Sequence, residues 1–73
     1  MDNKYGHLFY ERLKDLRKEK GLSKLGLSKK LNSVTRSSIV KWEHQYTEPT
    51  ASMFITLADY FGVSIDYLVG RED

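Results

Sequence analysis

Leu22-Ser23-Lys24-Leu25-Gly26-Leu27 and Val34-Thr35-Arg36-Ser37-Ser38-Ile39 are one phrase written twice. Each runs from an apolar residue through a Ser or Thr and a basic residue to a second apolar residue, five places after the first. A hydroxyl at the N-cap accepts a hydrogen bond from the free N–H groups of a new helix, and apolar residues at N′ and N4 close over it. The pair therefore predicts two short helices starting close together, each with a fixed angle of approach. Both place a cation at the first helical position, where the helix dipole disfavours one by about 0.3–1 kcal/mol. A chain accepts that cost most readily when the positive helix end faces an anion.

Outward from this pair, the remaining segments also read as helices. Phe9, Leu13 and Leu16 recur at helical spacing from His7 to Lys20, and Gly21 stops the pattern. Met1–Gly6 precedes it as a loosely held arm. Leu27 and Leu31 give the second helix its inner face; Asn32 and Ser33 follow as a turn, Asn being the non-glycine residue that best tolerates positive φ. The third helix turns Ile39 and Trp42 inward, and residues His44 to Pro49 form a loop. Thr50 caps a fourth helix with a stripe of Phe54, Leu57, Ala58 and Phe61, closed by Gly62. The opening phrase returns as Val63-Ser64-Ile65-Asp66-Tyr67-Leu68, starting a fifth helix that ends at Gly70, with 71–73 as a tail. No segment alternates as a strand does. The expected fold is all-α, a compact five-helix bundle over residues 7–70.

Seventy-three residues make one small core, and no separate ligand or cleavage domain is expected within them. A hydrophobic content of 40% with 30% charged residues suits a folded soluble chain rather than a disordered one. The absence of cysteine excludes a disulfide framework and fits a reducing cytoplasm. Neither a membrane-length apolar run nor a signal-peptide pattern is present, so a cytoplasmic location is expected. His7 and His44 lack metal-ligand spacing and read as surface residues. With no nucleophile motif and no Gly-rich phosphate loop, the expectation is a non-enzyme without cofactor, metal or small-molecule substrate.

The net charge of +2 conceals a segregation. Ten basic residues lie between Arg12 and Lys41 against only Asp15 and Glu19, whereas six acidic residues and Arg71 follow from Trp42 onward. Such polarity steers an anionic partner to one side.

Two short helices joined by a tight turn cannot bury themselves, and the arrangement in which three other helices support them is the helix-turn-helix. Three stretches carry a family resemblance: Arg12-Leu13-Lys14-Asp15-Leu16-Arg17-Lys18-Glu19-Lys20-Gly21-Leu22-Ser23; Ile39-Val40-Lys41-Trp42-Glu43; and Leu57-Ala58-Asp59-Tyr60-Phe61-Gly62-Val63-Ser64-Ile65-Asp66-Tyr67-Leu68-Val69-Gly70 after Pro49-Thr50. The chain resembles the phage repressor and Cro (XRE) family over about residues 9 to 70. The chain departs from the family pattern at Lys24-Leu25-Gly26, where Gln and acidic residues are usual. It departs again at Ser28 and Asn32, in a turn one residue longer than usual, and in the loop His44-Gln45-Tyr46-Thr47. Gly26 is expected to weaken the second helix by about 1 kcal/mol relative to Ala.

The resemblance implies a double-stranded DNA operator as partner, with a homodimer bound on it and bases read by the third helix through Thr35, Arg36, Ser37, Ser38 and Lys41. Arg36 suits this role chemically, because its planar fork matches O6 and N7 of guanine. Lys24, Ser23 and Tyr46 are the expected phosphate contacts. Leu25 occupies a position that is polar and outward in the family, which points instead to a protein contact. Ile65, Tyr67 and Val69 either form a dimer surface or close the core. Two functions follow: a sequence-specific transcriptional regulator of phage or mobile-element type, or a small antirepressor that docks on a partner repressor.

Overall fold

In the computed structural model, which describes the backbone from Lys4 to Arg71 and side chains from Leu8 onward, the cap phrases form as read. Ser23 Oγ accepts from Gly26 N–H at 2.9 Å and Thr35 Oγ1 from Ser38 N–H at 3.1 Å. Thr50 and Ser64 repeat the bond to Met53 and Tyr67 at 3.3 and 2.9 Å. They set the starts of α2 (Lys24–Lys30), α3 (Arg36–Glu43), α4 (Ala51–Phe61) and α5 (Ile65–Val69). Each staple closes on a buried N4 residue, Leu27, Ile39 or Leu68.

The first helix, α1, spans Lys4–Glu19 and so begins three residues before the expected His7. Residues 4–6 of the expected arm are thus helical. Residues 1–3, the side chain of His7 and tail residues 72–73 lie outside the described residues.

Four helices end in the same pair of hydrogen bonds. After α1, Leu22 N–H donates to Arg17 O and Gly21 N–H to Lys18 O; the pattern recurs after α3, α4 and α5. This ending needs one left-handed residue. Gly21, Gly62 and Gly70 supply it at φ of 70°, 70° and 90°, but after α3 the residue is Gln45, at φ 63°. The expectation of positive φ at Asn32 is corrected: among the described residues, Gln45 is the only non-glycine there. After α2 the chain turns through Leu31, extended at φ −118° and ψ 104°, and Val34 N–H donates back to Leu31 O at 3.1 Å. The residue added to this turn gives room for an ordinary β-turn with Asn32 and Ser33 at its centre, so no left-handed residue is required.

The core joins Phe9, Leu13 and Leu16 of α1 to Leu27, Leu31, Val34, Ile39, Trp42, Leu57, Ala58 and Leu68. Each fully buried aliphatic side chain among them stabilises the fold by about 1.5–3 kcal/mol. α1 packs on α3 and α5, α2 on α3, and α4 on α5. The α1–α5 contact is closed by the Arg12 guanidinium, which lies 4.2 Å over the Tyr67 ring and donates to the Tyr67 carbonyl. It also demands Gly70, where a Cβ would fall 2.5 Å from Leu8 Cβ.

Gly26 has a local reason as well. A Cβ there would stand 3.2 Å from Ser23 Oγ, the oxygen that caps its own N–H. The helix-propensity cost expected of this glycine is therefore offset by an undisturbed cap.

Candidate nucleic-acid interface

The two faces of α3 differ sharply. At 100° per residue, Ile39, Trp42 and Glu43 share one side, and all three are buried. Ser37 and Lys41 share the other and are exposed, with Ser38 half-buried beside them; Arg36, almost in line with Glu43 at that pitch, is exposed because it stands at the first position of the helix. Arg36 and Lys41 have no ion-pair partner among the described residues. Thr35 is used differently: its hydroxyl accepts from Ser38 N–H and donates to Ser38 Oγ at 3.1 Å. Its proton is thus taken by the cap, while Ser38 keeps its own proton free to donate outward.

What holds this helix in place is a pair that the sequence reading did not single out. Arg17 Nε donates to Glu43 Oε2 at 2.8 Å and its Nη2 to Oε1 at 3.0 Å, a bidentate fork with both side chains buried. Arg17 Nη1 also donates to Leu22 O at 2.8 Å. One guanidinium therefore ties α1, the lead-in to α2 and the end of α3. The hydrogen bonds it donates to Glu43, with the carboxylate's charge, hold Arg17 above the ordinary arginine range, outweighing the effect of burial. A signal was available: Arg17 stands four residues after Leu13 and Glu43 four after Ile39, on the inward side of each helix.

This pairing also redistributes the basic surplus. Arg17 is neutralised, Arg12 lies on Tyr67, and Lys20 sits 5.1 Å over the Tyr60 ring. Cations without ion-pair partners among the described residues include Lys24, Lys29 and Lys30 of α2 together with Arg36 and Lys41 of α3. These two helices pack on each other. Ser23 is exposed and Lys24 half-buried at the start of α2.

Beyond α3, Tyr46 is 73% exposed, and its ring stacks on His44 at 5.8 Å between centroids. Leu25 is 48% exposed on α2. Of the α5 candidates, Ile65 is exposed, Val69 half-buried, and Tyr67 packed on the core with one ring face under Arg12. Because α5 packs on α1 and α4, these three belong to a different surface from α2 and α3. Ile55 of α4, 49% exposed, is a further apolar surface residue that the sequence reading did not single out.

A polar, open depression lined by Tyr10, Glu11, Lys14, Asp15 and Lys18 lies wholly on α1. Among the described residues, no group of three or more His, Cys, Asp or Glu is placed to hold a metal ion. No helix among them is long and apolar enough to cross a membrane.

Comparison with known proteins adds two findings. A family model described as helix-turn-helix matches residues 13–68, which takes in α2, α3, their turn and most of the supporting helices. The chain is also similar to the HTH-type transcriptional regulator ImmR of Bacillus subtilis (strain 168), 29% identical over 63 residues. That alignment covers 86% of this chain and 49% of the relative, so the chain spans about half the length of the curated protein it matches. No solved structure gives a significant match.

Proposed function

The chain belongs to the XRE-type helix-turn-helix family, and from that premise we propose that it is a sequence-specific DNA-binding transcriptional regulator that reads the major groove with α3. The observation that carries this reading is the outward stripe of α3. Lys41 stands on it beside Ser37, and Arg36 is exposed at the helix start; neither cation has an ion-pair partner among the described residues, and the helix is fixed from behind by the Arg17–Glu43 fork. An arginine held this way can present its fork to a guanine edge without first breaking an internal bond. Lys24, the exposed Ser23 and Tyr46 would meet phosphates on either side, fixing register rather than sequence. A single short reading helix covers one half-site, so the active species on an operator is a homodimer. Ile65, with Val69 beside it on α5, is the candidate contact between copies.

A second reading is supported by Leu25 and Tyr46, both exposed where a DNA reader usually offers polar or basic groups. In it the scaffold is an antirepressor, and these residues dock on a partner repressor protein.

Paired titrations separate the two. The protein is titrated against duplex DNA from its own upstream region at about 50 and 200 mM salt, and against the neighbouring repressor. A DNA regulator loses duplex affinity steeply between the two salt concentrations, since each phosphate contact releases counterions. Salt-tolerant binding to the repressor, without duplex binding, overturns the first reading in favour of the second.

A further inference from the structure

His44 belongs to the same outward stripe. At 100° per residue it falls almost in line with Ser37, seven places earlier, and within a side-chain width of Lys41. It is exposed at the C-cap of α3. Its Nδ1 lies 2.9 Å from the carbonyl of Val40. A carbonyl only accepts, so Nδ1 carries the proton and the neutral ring turns its lone pair outward on Nε2. In that state Nε2 offers an acceptor to whatever lies in front of it. Protonated, it becomes a second donor and a cation. The ring is held for this change by the Val40 bond on one side and the stacked Tyr46 on the other.

We propose that His44 is a proton-dependent DNA phosphate contact, and that the protein binds duplex DNA more tightly as pH falls through the range in which this imidazole takes up its proton. The inference rests on the DNA-binding reading above. The carbonyl end of α3 attracts a cation, and a phosphate in contact would attract it further. His44 has no ion-pair partner among the described residues. From α1, Arg17 is held by Glu43 and contributes no net charge as a pair. The other charged groups on the elements around it are Lys24, Lys29 and Lys30 of α2, Lys41 on the same stripe, and Glu48 of opposite sign in the loop. A bound phosphate would be the anionic partner of the protonated ring. A phosphate contact is strengthened when His44 carries its proton, so binding tightens as pH falls and loosens as it rises.

The test is fluorescence anisotropy with a labelled 30-base-pair mixed-sequence duplex, measured at pH 5.5 and pH 8 over a range of salt, using the wild type, His44→Gln and His7→Gln. Glutamine keeps a polar side chain but cannot titrate. Because the chain has two histidines, His7→Gln controls for the other. The wild type and His7→Gln are expected to bind about five- to tenfold more tightly at pH 5.5, as one charge-assisted bond would give. Their log–log salt slope should steepen by about 0.9 there. His44→Gln should show neither change. Wild-type binding without pH dependence, or an equal dependence in His44→Gln, overturns this inference alone. Absence of duplex binding at both pH values overturns the DNA-binding reading and this inference with it.

Discussion

Lys41 and Glu43 lie two residues apart on α3, yet one ends in solvent and the other in a buried bidentate fork. The inner face of the helix has every polar group satisfied; the outer face leaves its cations without ion-pair partners among the described residues. Inner contacts fix where the helix stands, and outer groups are kept free for something outside the chain. Substitutions on the two faces should therefore separate stability from binding, and each prediction below attacks that separation.

The largest effect belongs to the inner face. Glu43→Ala leaves the Arg17 guanidinium buried without its counter-ion and should destabilise the fold by about 3–5 kcal/mol, read from urea or thermal unfolding. A change under about 1 kcal/mol would mean that water reaches Arg17 and that the fork is not what positions α3. Next comes the outer face: Arg36→Ala should leave the unfolding midpoint unchanged while costing about 1–3 kcal/mol of affinity for the cognate duplex, with relaxed preference at one base pair. Equal weakening on every sequence would demote Arg36 to a phosphate contact. At the junction of the faces, Gln45→Gly should stabilise the protein by about 1 kcal/mol, because glycine adopts the left-handed conformation there without strain. Last, Lys41→Ala should reduce the magnitude of the salt slope of duplex binding by about 0.9 and leave stability unmoved; a lowered unfolding midpoint would show that the outer face also serves the fold.

The fold was open to a reader of the sequence because its signals are local. Ser23, Thr35, Thr50 and Ser64 cap the helices expected of them, and the apolar stripes of α1 to α4 supply the core. What escaped is long-range or conformational. The Arg17–Glu43 fork joins residues 26 apart, and nothing local announces that two charged residues on different helices will meet indoors. Residue preference points to Asn32 for the left-handed conformation. It occurs at Gln45 because the helix ending, not the side chain, demands that conformation. Ser37 and Lys41 are exposed, as their spacing requires, and Arg36 is exposed by its place at the helix start.

The third bond of Arg17, to the carbonyl of Leu22, has a consequence for motion. With its fork on Glu43, the guanidinium clasps both ends of the segment holding α2 and α3, and neither helix is long enough to persist alone. They cannot fray independently, since releasing one end breaks the clasp for both. Under native-state hydrogen exchange, the amides of α2 and α3 should open together as one cooperative unit, with a single protection energy and a common response to denaturant.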